Sequence, residues 1–436
     1  MNDIFSLKDF KMPDGFIWGS GYAGHQVEGN NVHSQWWDWE INGKTKDKSG
    51  LACNSYAMYK DDIDLALSLG HQIFRTSVEW SRIEPEEGHF DEKELDHYVR
   101  LFAYAKEKGI KTFCTLVHCA HPLWFEKIGH FTTYDNAKYF ERYVRYVVPK
   151  LAPYIDMWNV LNEINLNFAT SVERGNYCFH SVRYHALGYR IIKEYSSAPV
   201  SSSHALIEYA PYRPNSEADR AMCAFCDFRD NGLFFDAIRT GEIAYPFRDA
   251  VYDPNVKGAA DFWSLNSYYR FLVDARKKDA MRNSYYDVTK INGAPCITPE
   301  IMITSYDRLR DKPIYVTENG INTDDDNMRI AFYAEVFSAM REAIDMGIDI
   351  RGYVTWSLLD NFEWGSFEPH YGICSVNRES GNFERIPKKS AYFLRDIYNN
   401  NGFSQQILRK YLSAPPSVIN RESNDKTGAG EVNVYG

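Results

Sequence analysis

Eight apolar, strand-like runs alternate with helical patterns along most of the 436 residues. This alternation predicts an α/β fold in which a parallel sheet closes into a single (β/α)8 TIM barrel. No G-x-G-x-x-G follows the first run, which argues against an open dinucleotide-binding sheet. No interior stretch is rich enough in Gly, Pro or Ser to mark a domain boundary. We therefore expect one barrel over residues 1–412, with its active site at the C-terminal ends of the strands.

The predicted strands are short runs of β-branched, aromatic and other apolar residues, as in buried parallel sheets. In chain order they are Phe16–Gly24, Ile73–Trp80, Ile110–Val117, Ile155–Glu163, Pro199–Ala205, Ala260–Tyr268, Pro313–Glu318 and Ile350–Leu358. Helices are predicted where apolar residues recur on one face: Glu92–Lys108, Tyr134–Leu151 and Met328–Met346. Asp91 and Glu94 resemble a capping box, and Gly109 and Gly347 are placed to end two helices.

The last segment, residues 413–436, differs from the rest. It is polar, lacks periodicity and includes Ala414-Pro415-Pro416 and Gly428-Ala429-Gly430. This composition predicts a tail that is flexible or draped over the barrel. Contacts between subunits are an alternative role for it.

The overall charge limits the classes of partner. Lys and Arg total 49 against 59 Asp and Glu, so the net charge is -10, which disfavours nucleic acids and anionic membranes. No run reaches the length of a membrane span, and the N-terminal residues lack the apolar core of a secretion signal. The eight Cys are scattered, several within apolar runs, which favours reduced thiols and a cytoplasmic setting. A homo-oligomer is compatible with this composition.

Two glutamates stand where predicted strands end. Glu163 closes the fourth strand and Glu318 the seventh, where barrel enzymes place their chemistry. Hydrolysis of a sugar acetal needs one ionised carboxylate and one carboxyl that keeps its proton. Arg75, on the second strand, would favour the ionised state of a nearby carboxylate, and Tyr268 could donate a hydrogen bond to it. The pattern favours acid/base and nucleophilic chemistry on a glycoside.

Two sequence patterns have metal-ligand spacing but are interpreted otherwise. His118 and His121 form an H-x-x-H; a substrate hydroxyl contact is favoured for His118 and a structural or rim position for His121. Cys223 and Cys226 form a C-x-x-C without a second pair at zinc-ribbon spacing, so they are expected on one helix face. We predict no metal and no organic cofactor.

These segments together resemble glycoside hydrolase family 1, the retaining β-glucosidase and β-galactosidase family, from about Phe16 to about Tyr398. The segments that carry the resemblance are Phe16–Gly19, Gln26–Gly29, Phe74–Arg82, Thr115–His118, Asn162-Glu163, Thr317–Gly320 and Trp356–Trp364. The resemblance implies that Glu163 is the general acid/base and Glu318 the nucleophile, and that Arg75 and Tyr268 tune Glu318. It also implies the side chains that hold the nonreducing sugar: Gln26, His118, Asn162, Glu363 and Trp364, with Trp356 as the floor.

Three positions depart from the family pattern. Ile164 stands where the family has Pro, Cys119 where it has Trp, and Gly129-His130-Phe131 where it has Gly-Gly-Trp. The retained Glu363, with no Lys in residues 365–371, predicts β-glycosides without a 6-phosphate. The expected substrate is a small β-glycoside or short oligosaccharide, with β-glucosidase activity first and β-galactosidase or β-fucosidase side activities. The alternatives are a transglycosylating relative, a 6-phospho-β-glycosidase and a non-catalytic sugar-binding homologue.

Overall fold

The computed structural model describes residues 4–166, 174–277, 285–286 and 299–416. Its strands, numbered in chain order, are β1 Ile17–Gly21, β2 Ile73–Ser77, β3 Lys111–Val117, β4 Met157–Leu161, β5 Val200–Ser201, β6 Ser203–Pro211, β7 Glu242–Ile243, β8 Val251–Tyr252, β9 Trp263–Val273, β10 Tyr285–Tyr286, β11 Ile314–Asn319, β12 Ile350–Trp356, β13 Cys374–Asn377 and β14 Glu384–Pro387. The predicted tail falls mostly outside the described residues, and its interpretation stays a prediction.

The parallel sheet closes into a barrel. Hydrogen-bonded neighbours run in the order β9-β11-β12-β1-β2-β3-β4-β5, and β6 pairs with β9. Only Ser202 separates β5 from β6, so together they act as one barrel strand that joins β4 to β9. Every pairing around this ring is parallel. The predicted (β/α)8 barrel is confirmed.

Two barrel strands extend beyond their predicted ends. The sequence prediction ended them at Ala205 and Tyr268, whereas β6 continues to Pro211 and β9 to Val273. The two extensions pair with each other in parallel as far as Pro211 and Val273. Mutual pairing satisfies the backbone N–H and C=O groups of both extensions, so the strands continue beyond the predicted ends. This paired extension projects past the rim where the strands end.

The helices cover the outside of the barrel. They are α1 Gly24–Val27, α2 Gln35–Ile41, α3 Ser55–Ser68, α4 Trp80–Ile83, α5 Glu92–Glu107, α6 Leu123–Lys127, α7 Ala137–Leu151, α8 Arg174–Tyr195, α9 Glu217–Asp227, α10 Leu233–Thr240, α11 Ile301–Thr304, α12 Asp326–Asp345, α13 Lys389–Asn400 and α14 Gln405–Tyr411. The three predicted helices correspond to α5, α7 and α12. Asp91 caps α5 by accepting a hydrogen bond from the Lys93 N–H at 2.8 Å. Gly109 and Gly347 adopt positive φ, as helix-ending glycines do.

A small apolar cluster fills the barrel beneath the site. Alternate residues of a strand share a face, so Ile73 points to the same side of β2 as Arg75. Ile73 packs with Phe113, Met157, Phe262 and Val354, all buried. The Arg75 guanidinium lies over the Phe113 ring, 5.9 Å from its centroid. This cluster forms an apolar base below the polar residues at the strand ends.

The structure also tests the predictions for Cys223 and Cys226 and for membrane-spanning helices. Cys223 and Cys226 lie on α9, as expected for neighbours on a helix face, and both thiols are free. Among the described residues, no helix is both long and apolar enough to cross a membrane. The cytoplasmic setting and a homo-oligomer stay predictions.

Candidate active site

Glu318 lies near the end of β11, buried against Arg75 of β2. Arg75 Nη1 is 2.5 Å from Glu318 Oε1, and the two side chains are 0% and 5% exposed. The Tyr268 hydroxyl donates to Glu318 Oε2 at 3.2 Å. Burial raises the pKa of Glu318 above its ordinary value, and the charge of Arg75 with hydrogen bonds from Arg75, Tyr268 and Asn266 limits this rise. These contacts favour the ionised carboxylate and fix its orientation.

Arg75 also donates hydrogen bonds to residues on or next to three other strands. Its Nη1 also donates to the Thr317 carbonyl at 3.2 Å, and its Nη2 donates to Asn162 Oδ1 at 2.6 Å and Ser203 Oγ at 3.2 Å. The guanidinium therefore links β2, β11, the end of β4 and β6. A planar fork with several donors suits this bridging, because one group contacts separate acceptors at once.

Glu163 follows β4, two residues beyond Leu161, and has different neighbours from Glu318. The Asn266 side-chain amide donates to Glu163 Oε1 at 3.4 Å. Within the described residues Glu163 forms no ion pair. Burial and then the charge of Glu318 raise its pKa to about 8, against weaker opposition from Asn266 and Arg75. This carboxyl therefore retains its proton at neutral pH.

A third carboxyl, Glu363, lies on the loop after β12. Its Oε1 accepts a hydrogen bond from Trp356 Nε1 at 2.9 Å, and its Oε2 accepts one from Gln26 Nε2 at 3.1 Å. Burial, together with the charge of Glu318, raises the pKa of Glu363 to about 7 despite these hydrogen bonds. Gln26 also donates to Asn361 Oδ1 at 3.1 Å. Residues that follow the first and last strands of the barrel thus form one side of the site, where Glu363 and Gln26 present hydrogen-bond acceptors.

Aromatic rings line the same space. The His118 ring lies 5.6 Å from Trp356 and 5.9 Å from Trp364, nearly parallel to both. His118 Nε2 lies 3.1 Å from Asn162 Nδ2. Burial and the charge of Arg75 hold the pKa of His118 well below its usual range, so the ring is neutral. Flat apolar faces beside hydrogen-bonding groups suit a ligand with both C–H and O–H surfaces.

The ten predicted site residues form one connected network. Each has a hydrogen bond or ring contact that leads to the others: Arg75, Glu318, Tyr268, Asn162, Glu163, His118, Trp356, Trp364, Glu363 and Gln26. Asn266 connects Glu163 to this set, because its amide also lies 3.2 Å from Asn162 Oδ1.

Three residues that were not selected from the sequence support the site. Ser203 contacts Arg75, and Thr317 donates to Asn266 Oδ1 at 2.8 Å and so orients its amide. Asn266 closes the network between the two glutamates. Each stands on a predicted strand, so position was a usable signal, but a hydroxyl or amide at a strand end is too common to single out.

The backbone explains how Glu163 is presented. Glu163 has φ 48°, and the next residue, Ile164, is buried and donates its N–H to the Ser203 carbonyl at 3.1 Å. The chain thus turns sharply after β4 and is tied at once to β6. Proline at position 164 would lack this donor.

His118 and His121 do not share a site. His118 belongs to the network above, whereas His121 Nε2 lies 2.7 Å from Glu126 Oε2 on α6. His121 and His118 therefore have different hydrogen-bond partners. The sequence interpretation found no acidic neighbour for His121, because Glu126 approaches it only through the fold of the connection after β3.

Comparison with known proteins agrees with this geometry. The sequence model of Glycosyl hydrolase family 1 matches residues 8–403. The chain is 29% identical to thermostable beta-glucosidase B of Thermobispora bispora, over 90% of this chain and 92% of that protein. It is 25% identical to a beta-galactosidase of Pyrococcus woesei, over 92% and 99%. A beta-glycosidase from Pyrococcus horikoshii superimposes with a TM-score of 0.85 at 29% identity, covering 92% of this chain and 98% of that one.

The family match spans nearly the whole barrel, including both glutamates and the strand ends that surround them. The names of the relatives and of the structural neighbour denote glycosidases. Nearly the whole length of each of these proteins aligns with this chain. The chain therefore belongs to glycosyl hydrolase family 1 and is a glycoside hydrolase.

Proposed function

We propose that the protein is a retaining exo-β-glycosidase that hydrolyses unphosphorylated β-D-glycosides, β-glucosides first. The observation that carries this proposal is the contrast between two carboxyls in one network, the buried Glu318 and the partly buried Glu163. Glu318 is ion-paired with Arg75, whereas Glu163 lacks an ion pair within the described residues and has a pKa near 8. Paired carboxyls whose surroundings separate their protonation states are what double displacement at an acetal needs.

Glu318 is the nucleophile in this proposal. Its ionised oxygen attacks the anomeric carbon and forms a glycosyl ester as the bond to the leaving oxygen breaks. The hydrogen bond from Tyr268 and the ion pair with Arg75 aim the carboxylate and limit its motion. The proton for the leaving oxygen comes from Glu163, which becomes a carboxylate.

Glu163 then acts as a base in the second step. It accepts a proton from a water molecule, whose oxygen attacks the anomeric carbon and displaces Glu318 as a carboxylate. Both residues return to their starting protonation states, and two inversions give net retention. No metal or organic cofactor takes part in these steps. A bound alcohol in place of water would give transglycosylation at the same site.

The wall around Glu363 supports the choice of an unphosphorylated sugar. Glu363 presents carboxyl oxygens that are fixed by Trp356 and Gln26, a geometry suited to sugar hydroxyls. An added phosphate would meet like charge there, and residues 365–371 contain no lysine to offset it. The names of the relatives, beta-glucosidase and beta-galactosidase, support a hexose in this position.

The experiment is a panel of aryl β-glycosides assayed with wild type and Glu318→Gln. We expect the β-glucoside to give the highest kcat/KM, with lower values for the β-galactoside and β-fucoside. Glu318→Gln should lose at least about 10³-fold in kcat, because the amide is a poor nucleophile. Glu86→Gln is the matched control, since its side chain is 78% exposed and it should keep wild-type activity.

Two results would contradict the proposal. Faster turnover of a 6-phospho-β-glucoside than of the β-glucoside would overturn the unphosphorylated substrate. Absence of wild-type turnover across the panel, with sugar binding retained, would instead favour a non-catalytic sugar-binding protein.

A further inference from the structure

Two histidines and a glutamate meet on the connection after β3, outside the catalytic network. They are His121, Glu126 and His130, and one ligand atom from each lies within 4.8 Å of the others. His121 Nε2 is 2.7 Å from Glu126 Oε2, and His130 Nε2 is 3.8 Å from the same oxygen. The two imidazole rings are stacked with centroids 5.2 Å apart. In the described part of the chain, no other group of three such side chains converges in this way.

The local fold holds the three side chains from different sides. His121 precedes α6, Glu126 lies on α6, and His130 begins the 3-10 turn His130–Thr132. The His121 N–H donates to Gln35 Oε1 at 2.8 Å, and the His130 carbonyl accepts from Asn136 Nδ2 at 3.0 Å. The side chains of His121, His130 and Glu126 are only 9%, 7% and 23% exposed. The site is therefore built from fixed, largely desolvated groups.

We propose that His121, Glu126 and His130 form a binding site for a divalent transition-metal ion of the Zn²⁺ class. Two imidazoles and a carboxylate are a common ligand set for Zn²⁺, with solvent at the remaining position. Bond lengths of about 2.0–2.2 Å place neighbouring tetrahedral ligand atoms roughly 3.4 Å apart. The observed 2.7 and 3.8 Å lie on either side of that spacing, so small side-chain rotations suffice.

The three side chains offer a cation one carboxylate and two imidazole nitrogens, which are ligands that Zn²⁺ takes in proteins. The ammonium of Lys44 is a positive charge that acts on Glu126 and opposes a bound cation.

The plain alternative is a structural hydrogen bond between His121 and Glu126. That alternative accounts for the 2.7 Å contact, and packing against His121 and Tyr177 accounts for the burial of the His130 ring, but neither requires His130 Nε2 to face the carboxylate. His130 Nε2 faces the same carboxylate oxygen at 3.8 Å, too far for a hydrogen bond and close enough to share a metal ion. Convergence of both rings on one oxygen is what favours the metal site.

A bound ion would act close to the catalytic network. His121 is three residues from His118, and the intervening Cys119 carbonyl accepts hydrogen bonds from Gln35 Nε2 at 2.9 Å and Trp36 Nε1 at 3.0 Å. A metal ion would fasten this wall to α6 and the following turn. We therefore expect Zn²⁺ to stabilise the folded state, since it binds the native arrangement of ligands.

The test is a titration of chelator-treated full-length protein with Zn²⁺, followed by calorimetry and by the melting temperature. Wild type should bind one ion, and Glu126→Gln and His130→Gly should bind it at least about tenfold more weakly. Glu126→Gln keeps an acceptor for His121, and His130 has φ 35°, which glycine adopts without strain. In chelator, Glu126→Gln should therefore melt near wild type, whereas His130→Gly loses a buried ring and should melt lower. Both variants should lose the rise in melting temperature with Zn²⁺.

His89→Ala is the matched control, because His89 and Glu86 form an exposed pair 4.0 Å apart and should not affect the titration. Three outcomes would overturn the site. The first is that wild type binds no stoichiometric Zn²⁺ at a concentration of about 100 µM, which is far above the Kd expected of a specific site. The second is unchanged affinity in both ligand variants. The third is binding that Glu318→Gln removes and Glu126→Gln does not, which would place the ion on the catalytic carboxyls.

Discussion

Glu318 is buried and Glu163 is partly buried, and the side chains that contact each carboxyl differ. Arg75 and Tyr268 contact Glu318, while Glu163 has only the Asn266 amide at 3.4 Å as its hydrogen-bond partner among the described side chains. Burial raises the pKa of both carboxyls, and the ion pair and hydrogen bond with Arg75 limit the rise for Glu318. A neutral Glu163 beside an ionised Glu318 is the protonation pattern that the proposed reaction uses.

This protonation pattern predicts how kcat/KM falls at alkaline pH. The pKa of Glu163 is about 8, and its protonated form is the active one, so kcat/KM should be full below pH 8 and fall as pH rises through it. The fall should approach about tenfold per pH unit for an alkyl β-glucoside, whose leaving oxygen needs a proton. It should be much weaker for a dinitrophenyl β-glucoside, whose leaving group departs unaided. The measurement is a pair of pH–kcat/KM profiles for wild type and Glu163→Gln.

Glu363 provides the competing explanation for that limb, because its pKa is raised to about 7. The alkaline fall in kcat/KM could be the same for both leaving groups, or it could persist in Glu163→Gln with the alkyl substrate. Either result would assign the titration to a group other than Glu163. Loss of the limb in Glu163→Gln would assign it to the proposed acid.

The turn after β4 shows how one element positions a carboxyl. Glu163 is in the left-handed region, and Ile164 ties the chain to β6 through its N–H. The resemblance raised position 164 as a departure from proline, and the structure supplies a physical role for the residue present. Its amide satisfies the Ser203 carbonyl, and its side chain is buried.

Ile164→Pro should therefore lower the melting temperature. It removes the N–H donor and leaves a buried carbonyl without that partner, a loss of about 1–3 kcal/mol, and proline also disfavours helical backbone conformations at the preceding residue. Ile164→Val is the control, because it keeps the N–H and removes one methylene, at about 0.5–1.5 kcal/mol. Thermal melts of the two variants decide the matter. If proline costs no more than valine, the hydrogen bond to Ser203 contributes nothing to stability.

The two ends of the barrel domain are joined across the whole molecule. The Phe10 and Met12 N–H groups donate to the carbonyls of Phe403 and Asn401 at 3.0 and 2.8 Å, and Trp18 Nε1 donates to Asn401 Oδ1 at 2.9 Å. After α13 the chain buries Phe403, Leu408 and Leu412 against the core. Packing of the barrel thus includes residues up to 412, and the domain boundary at this position stays a prediction.

Two truncations test that boundary. Removal of residues 413–436 should leave activity and melting temperature near wild type, since Leu412 is the last buried apolar residue in the part of the chain that the structure describes. Removal of 401–436 should lower the melting temperature by at least about 10 °C or prevent folding, because each lost core side chain contributes roughly 1.5–3 kcal/mol. Thermal melts and size-exclusion chromatography measure both. A smaller oligomer after the first truncation would instead assign the tail to subunit contacts.

The sequence alone determined the barrel and the strand ends at its C-terminal face, because strand and helix periodicity is local and parallel closure brings every strand end to one face. It supplied the ten site residues as predictions, from their positions near strand ends and from the family resemblance, and their roles stay predictions. The tertiary structure decided what depends on contacts between distant segments. Ser203 and Thr317 join the network only when strands are neighbours, β6 and β9 lengthen only because they pair, and Glu126 and His130 reach His121 only through the fold after β3.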